Sequence, residues 1–294
     1  MNYYKEIKQE LINNEITKRV KDYSKNRSDL NTYYNVGKLL FEAGKHYGEG
    51  IIKEYSNKLT NDLGRGYNET SLKRMRQFYL AIEKGAPLAH LLNWSHYVEL
   101  LPLKDVNKIN YYIKIIINQN LSKRELRERI KNKEYERLDE KTKEKLMSNE
   151  EPRVNDLIKN PILIKNSYDY KEISEKILQK LILEDLPNFM KELGEGFSFI
   201  DSEYKIKMGD RYNYIDLLLY NVKYKCYVVV ELKVTELSYK HTGQIQNYMN
   251  YINHNVKNID DNETVGIIIC KKENKYVIEY CSDSRIISRR YELV

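Results

Sequence analysis

Residues 212–234 read YNYIDLLLYNVKYKCYVVVELKV. A polar turn divides this stretch into two apolar runs, which predicts two adjacent β-strands. The second run contains Val228-Val229-Val230, which is apolar on both faces, as in a central strand covered by helices. Three charged side chains nevertheless interrupt or end these runs: Asp216, Glu231 and Lys233. Buried strands rarely carry charges unless these are paired or bind a metal, so the three side chains mark a candidate site.

The chemistry of this set suits metal-assisted cleavage of a phosphodiester bond. Glu231 and Lys233 are two residues apart, so on a strand they project to the same face. Mg²⁺ binds through one or two carboxylates and keeps several waters. The lysine would place a positive charge beside the attacking water or the crowded phosphate. The other interpretation is a buried ion pair with no catalytic role, because Glu-x-Lys tripeptides are common.

The elements around these runs predict a mixed α/β layer structure in the order α-β-β-β-α-β-β. Pro187 interrupts the helical region before the strands, and Gly194 ends it. The predicted elements are a helix over 170–185, strands over 197–207, 212–220 and 224–234, a helix over 242–253, a strand over 264–270 and an edge strand over 276–281.

The first half of the chain predicts an all-helical domain. Apolar residues recur at three- and four-residue spacing, as in Leu72, Met75 and Phe78, and no segment alternates with a period of two. A charged junction near residue 150 separates this half from the strand-rich part. We therefore divide the chain into a helical domain over 1–150 and an α/β domain over 151–294.

The basic excess of the chain lies in the helical domain. Residues 1–150 hold 29 Lys and Arg against 21 Asp and Glu, whereas the remaining residues hold 21 against 22. A basic domain attached to a near-neutral one suggests a nucleic-acid-binding module. The chain is also rich in Lys, Asn, Tyr and Ile, which an AT-rich genome produces without any selection for binding. Both explanations of the charge stay open.

One basic cluster in this domain consists of Lys73, Arg74 and Arg76, on a helix that Asn68 is predicted to cap. The helix follows a short glycine-containing turn, as the recognition helix of a helix-turn-helix unit does. Contact of this helix with DNA and an ordinary solvated helix face are both compatible with the pattern.

Composition and motifs argue against several other classes of protein. No apolar stretch approaches the ~20 residues of a membrane span, and the N-terminus has no apolar leader, so we expect neither a membrane protein nor a secreted one. The three cysteines form no CxxC pair, which disfavours a disulfide framework and favours the cytoplasm. The five histidines show no HExxH spacing, and neither GxGxxG nor a P-loop is present, so no zinc site or nucleotide cofactor is expected.

The same residues resemble a known group of nucleases. Asp216, Glu231-Leu232-Lys233 and Gln244 are similar to the D…(D/E)-x-K…Q pattern of the PD-(D/E)XK nuclease superfamily, although Ile215 replaces the usual proline. More narrowly, the chain resembles the YhcG-type bacterial PDDEXK nuclease domain proteins. The segments that carry this resemblance are 193–199, 215–220, 229–233 and 243–244 in the α/β domain, and 66–78 and 93–96 in the helical domain.

The resemblance implies a restriction-endonuclease-like α/β fold and a set of roles for the site residues. Asp216 and Glu231 would be metal ligands, Lys233 the catalytic lysine, and Gln244 a supporting residue from the following helix. The superfamily often adds an acidic ligand from the first helix. Two glutamates could fill that role, Glu175 as the better match and Glu172 as the alternative.

The resemblance also implies a function for the whole chain. It predicts a Mg²⁺- or Mn²⁺-dependent endonuclease that acts on nucleic acid, with DNA favoured over RNA. A homodimer is compatible with the sequence, and no membrane partner is expected. The alternative is a non-catalytic nucleic-acid-binding or assembly protein that keeps the nuclease fold without turnover.

Overall fold

The computed structural model describes residues 2–19, 25–87, 89, 92–148, 150 and 153–294 of the chain. It forms two compact units, Met1–Tyr135 and Glu136–Val294. The boundary predicted at residue 150 lies within the second unit, and Met1 and Glu151, which begin the two predicted domains, lie outside the described residues. Within the described ranges, no helix combines the length and the apolar character needed to cross a membrane.

The first unit is helical, as its periodicity predicts. Two 3-10 turns, Arg65–Tyr67 and Leu101–Leu103, lie between its helices. The helices are α1 (Tyr3–Arg19), α2 (Lys25–Tyr47), α3 (Ile51–Leu63), α4 (Glu69–Glu83), α5 (Trp94–Leu100), α6 (Val106–Gln119) and α7 (Lys123–Lys131).

Helices α2 and α4 pack closely against each other at Gly37. A Cβ at this position would lie 2.2 Å from the carbonyl oxygen of Met75, so a larger residue would push the two backbones apart. Helix α4 begins where the sequence predicts, because the Asn68 side chain accepts the backbone N–H of Ser71 at 2.9 Å. These two features fix the position of the helix that carries the basic cluster.

The second unit is a six-stranded mixed sheet in the order β1-β6-β5-β4-β3-β2, in which β2 and β3 are antiparallel to their neighbours and the other pairs are parallel. The strands are β1 (Ile162–Ile164), β2 (Phe197–Met208), β3 (Arg211–Asn221), β4 (Cys226–Glu236), β5 (Asn262–Lys272) and β6 (Ile286–Leu293). The helices are α8 (Glu140–Ser148), α9 (Glu175–Glu184), α10 (Leu186–Leu193), α11 (Tyr239–Asn255) and α12 (Lys275–Glu279), with a 3-10 turn at Val154–Leu157.

Alternate residues of the strands fill two separate apolar clusters. Leu219, Val228 and Val230 pack with α9 and α10, whereas Leu218 and Val229 pack with α11. The central strand β4 is therefore covered on both faces, as the run of valines predicts. The predicted fold class, a mixed α/β unit that follows a helical N-terminal region in the sequence, is confirmed.

The edge strand predicted over 276–281 is wrong. Residues Lys275–Glu279 form helix α12, and the last strand is β6. The β6 strand contains Arg289, a residue type that is rarely buried. Its guanidinium is nevertheless buried, because it donates hydrogen bonds to the carbonyl of Ile158 and to the carboxylate of Asp139.

The helix predicted over 170–185 begins later, at Glu175. Ser174 is its N-cap, and the Ser174 hydroxyl accepts the backbone N–H of Ile177 at 3.3 Å. Pro187 does interrupt the helical region, because it lies in the first turn of α10, where a helix needs no N–H donor. The later start places Glu175 at the N-terminal end of α9.

Helix α11 lies close to the sheet at Gly266. A Cβ on this β5 residue would lie 2.6 Å from Sδ of Met249 and 3.0 Å from Cδ1 of Ile245, both on α11. Gly266 pairs with Val229 of β4, so this close contact lies at the centre of the sheet. The missing side chain therefore sets the distance between the sheet and α11, which also carries Gln244.

Candidate active site

The sheet opens between β3 and β4 at the predicted charged residues. The pairing of these two strands ends at Leu217 and Val230. Beyond that point β3 continues with β2 only, and β4 continues with β5 only. Asp216 and Glu231 are the next residues on the two strands, so both carboxylates lie where the strands part.

Two hydrogen bonds hold Asp216 at this opening. Its Oδ2 accepts the backbone N–H of Leu232 at 2.7 Å, which satisfies a donor that β3 no longer pairs with. Its carbonyl oxygen accepts Nε2 of Gln179, a buried residue of α9, at 2.9 Å. The side chain and the backbone of Asp216 are thus fixed by different elements.

Glu231 is almost fully buried, and only one of its carboxylate oxygens is engaged. Oε1 accepts Nζ of Lys233 at 2.9 Å and Nε2 of Gln244 at 2.8 Å. The same Nε2 lies 3.0 Å from the hydroxyl of Tyr248, one helical turn further along α11. Oε2 is buried and has no hydrogen-bond partner in the described part of the chain. A buried oxygen without a donor is unfavourable, and a bound cation would compensate it.

Lys233 joins Glu231 to the start of α9. Its Nζ lies 3.2 Å from Oε2 of Glu175, whose side chain is 45% exposed and so lies at the rim of the site. Glu172, the alternative acid, is exposed in the loop before α9, and within the described ranges no hydrogen bond or ion pair connects it to these residues. The residues that the structure brings together are Asp216, Glu231, Lys233, Gln244 and Glu175.

Burial raises the pKa of both buried carboxyl groups. It is the main reason that the pKa of Glu231 rises to about 7, and the nearby Asp216 carboxylate adds to the effect. Burial also raises the pKa of Asp216, while the Leu232 amide and the Lys233 ammonium act against it. For Lys233 itself, burial acts to lower the pKa, but the surrounding carboxylates outweigh burial and raise it. Lys233 therefore stays protonated at neutral pH.

These residues fit a divalent cation held by two carboxylates. Asp216 and the free Oε2 of Glu231 offer hard oxygen ligands, which Mg²⁺ and Mn²⁺ prefer. Nowhere among the described residues do three or more His, Cys, Asp or Glu side chains come together to hold a metal ion. Water and a substrate phosphate would therefore have to supply the remaining ligands.

Two of the three basic residues predicted to contact DNA are exposed on α4. Lys73 has a side chain that is 52% exposed, and its Nζ lies 2.6 Å from Glu69 one turn earlier. Arg74 is exposed and forms no ion pair with any described residue. Arg76 is only 20% exposed, and its guanidinium lies 2.6 Å from Glu49. Arg76 is thus held within the helical unit, whereas Lys73 and Arg74 face solvent.

Sequence reasoning assigned no supporting role to two side chains of the site. Gln179 holds the backbone of Asp216, and Tyr248 lies against the amide of Gln244. The only available signal was spacing, because Gln179 and Tyr248 each follow a site residue, Glu175 and Gln244, by one helical turn. That spacing shows proximity on a helix but does not identify a contact.

Comparison with known proteins matches both units. The model described as YhcG PDDEXK nuclease domain matches residues 155–293, and the model described as DUF1016 N-terminal domain matches residues 6–137. The chain is 26% identical to "Putative nuclease YhcG" of Escherichia coli (strain K12), across 82% of this chain and 76% of that protein.

Two solved structures also show similarity. One is a repair endonuclease from Pyrococcus abyssi, at 19% identity and a TM-score of 0.30, and the other is EndoMS in a complex with double-stranded DNA, at 17% identity and a TM-score of 0.29. In each case the similarity covers 44% of this chain and 49% of the other, so it spans about half the length of those chains.

Proposed function

Because the chain belongs to the YhcG-type PDDEXK nuclease proteins, with a DUF1016 N-terminal domain before the nuclease domain, we propose that it is a Mg²⁺- or Mn²⁺-dependent endonuclease that hydrolyses DNA. The observation that carries this proposal is the free, buried Oε2 of Glu231 at the opening where Asp216 also lies. A buried oxygen without a donor is unfavourable, and a purely structural ion pair gives no reason to keep one at this position.

The side chains have separate roles in this mechanism. A bound divalent cation would supply Lewis-acid chemistry at the scissile phosphate. Asp216 and Glu231 would hold it. Lys233 keeps a positive charge at the same place, where it can stabilise negative charge that grows on the phosphate oxygens. Gln244 and Lys233 together occupy Oε1 of Glu231, which leaves Oε2 as the oxygen that would bind a cation.

We further propose that the helical domain binds DNA through phosphate contacts. Residues 1–135 hold 25 Lys and Arg against 16 Asp and Glu. Helices α3 and α4 are joined by a short turn, and α4 exposes Lys73 and Arg74 near its N-terminal end, as a recognition helix does. The division of the chain near residue 150 into a DNA-binding domain and a nuclease domain is part of this proposal.

A cleavage assay with metal variation tests the catalytic proposal. Plasmid, single-stranded and branched DNA are incubated with the protein in Mg²⁺, Mn²⁺, Ca²⁺ or excess chelator. We expect cleavage with Mg²⁺ or Mn²⁺ and none in chelator. Robust cleavage in excess chelator would contradict the metal assignment. DNA binding without cleavage under every metal condition would favour the non-catalytic alternative.

Matched variants test the assignment of the residues. Asp216→Asn and Glu231→Gln should abolish cleavage while DNA binding is kept. Glu236→Gln is the control, because Glu236 lies on the same strand as Glu231 but is exposed and pairs with Lys272 at 2.7 Å. The control should cleave like the wild type. Wild-type activity in the first two variants would place the active site elsewhere.

A further inference from the structure

The hairpin of β2 and β3 exposes an aromatic and basic face beside the opening. Tyr212 and Tyr214 of β3 are 55% and 52% exposed. Lys207 lies opposite Tyr212 and Lys205 lies opposite Tyr214, so the four side chains share one face. Nζ of Lys205 lies 3.9 Å from the centre of the Tyr212 ring, and Nζ of Lys207 lies 6.0 Å from it. Neither lysine forms an ion pair with any residue that the structure describes.

The core fixes the orientation of this face. Ile206 and Ile215, which alternate with the exposed residues on the two strands, are buried in the cluster that also contains α11. Because successive side chains of a strand point to opposite sides, this packing turns the two tyrosines and the two lysines outward. The aromatic rings are therefore exposed by a well-packed hairpin and not by a loose one.

The exposed face begins next to the proposed cleavage site. Tyr214 is two residues from Asp216 on β3, which is a distance of ~7 Å along a strand, and Tyr212 follows after a further ~7 Å. These rings are therefore within reach of the neighbouring nucleotides of a strand whose phosphate lies at Asp216.

We propose that this face, the hairpin track of Lys205, Lys207, Tyr212 and Tyr214, binds an unpaired DNA strand beside the scissile phosphate. The tyrosines stack on bases and the lysines contact phosphates. Exposed aromatic rings combined with positive charge suit single-stranded nucleic acid, because every base has a π-face, and in a duplex that face is covered by stacking on the neighbouring base pairs. The inference rests on the proposed nuclease function and specifies its substrate as DNA with unpaired nucleotides at the cut.

Binding without cleavage tests the hairpin track. Fluorescence anisotropy is measured with a labelled oligothymidylate and with a blunt duplex, both in excess chelator. Changing both tyrosines, Tyr212→Ala with Tyr214→Ala, should weaken oligothymidylate binding by at least about tenfold, given stacking on each ring. Duplex binding should change by less than about twofold. Phenylalanine at both positions should keep the single-strand affinity, because it keeps the stacking surface.

Matched controls separate the hairpin track from a general surface effect. The variant Tyr276→Ala with Tyr280→Ala removes two tyrosines that are 66% and 69% exposed, near α12, and should leave both affinities unchanged. Lys205→Ala with Lys207→Ala should lower the salt slope of single-strand binding by about 1.4, at about 0.7 per phosphate contact. Circular dichroism confirms that each variant is folded. If the alanine pair does not fold, the phenylalanine pair and the lysine pair carry the test.

The outcomes distinguish this inference from the proposed function. Unchanged oligothymidylate affinity in the Tyr212 and Tyr214 alanine variant, or an equal loss in the control pair, would overturn the hairpin track. Wild-type protein that binds the oligothymidylate through the track but cleaves no DNA with Mg²⁺ or Mn²⁺ would refute the nuclease alone. If the wild type cleaves DNA, and the alanine variant binds single strands and cleaves as well as the wild type does, the hairpin track alone would be refuted.

Discussion

Glu231, which is buried, and Glu192, which is half-buried, should respond in opposite ways when each is changed to glutamine. The pKa of Glu231 is raised to about 7, chiefly by burial. Burial also acts to raise the pKa of Glu192, but a hydrogen bond from Arg137 and the charge of Lys159 outweigh it and lower the pKa. Glutamine has nearly the same shape as glutamate, so each change removes the charge and little else.

The direction of the stability change for Glu231→Gln follows from how many protons the folded and unfolded states bind. The folded state keeps the Glu231 proton up to about pH 7, whereas the unfolded chain releases it near the ordinary pKa of 4.5. The folded state therefore binds more protons between these values, and the free energy of unfolding falls as pH rises. At about 1.4 kcal/mol per pH unit, the loss is about 3 kcal/mol. The stability that protonated Glu231 contributes is fully present below about pH 4.5 and is lost above about pH 7.

Urea unfolding in chelator between about pH 3 and pH 8 measures both effects, because the Glu192 contribution is lost only below the ordinary pKa of 4.5. At pH 8, Glu231→Gln should be more stable than the wild type by about 3 kcal/mol, and its stability should depend less on pH. Glu192→Gln should be less stable than the wild type at pH 8, with a difference that shrinks as pH falls through the lowered pKa. A Glu231→Gln variant that is less stable than the wild type at pH 8 would refute the reasoning, because the ion pair with Lys233 would then outweigh the burial of the charge.

Four further variants have distinct expected results. Lys233→Ala should leave folding and DNA binding nearly intact and lower single-turnover cleavage by roughly two to three orders of magnitude; normal cleavage per folded molecule with a large fall in Tm would contradict a catalytic role. Lys73→Ala with Arg74→Ala should lower the salt slope of DNA binding by about 0.9 per lost phosphate contact. Arg76→Ala should instead lower Tm with little change in the salt slope, because Arg76 is held in an internal ion pair. A wild-type salt slope in the Lys73 and Arg74 variant, as in the Arg76 variant, would place DNA binding elsewhere on the protein. Gly37→Ala should destabilise the helical unit by about 1–3 kcal/mol, because a Cβ would overlap the α4 backbone, and an unchanged Tm would show that the helices can move apart.

The central part of the site could be predicted because its residues interrupt a pattern. Asp216, Glu231 and Lys233 are charged positions in runs that otherwise predict buried strands. Strand alternation places Glu231 and Lys233 on one face, and the structure places their head groups 2.9 Å apart. The contact of Gln244 with Glu231 was implied only by the resemblance, because no spacing rule relates a strand residue to the helix that follows it.

Other features depend on tertiary contacts that carry no sequence pattern. The hydrogen bond of Gln179 requires a backbone carbonyl that is free only where two strands part. The segment 276–281 was misassigned because a short apolar run fits a strand or a helix equally well. The last strand, β6, was not predicted because it contains Arg289, a residue type that is rarely buried. The burial of Arg289 depends on acceptors more than a hundred residues away in the sequence.

The close approach of α11 to the sheet at Gly266 limits which substitutions the protein can tolerate. Gly266 contributes no functional group, yet a methyl group there would displace Met249 and Ile245 and lift the helix. The bond between Gln244 and Glu231 measures 2.8 Å, and lengthening it by about half an ångström takes it out of the favourable range. Mutational scans should therefore find an activity-sensitive position in the middle of the sheet, in a residue with no chemistry of its own.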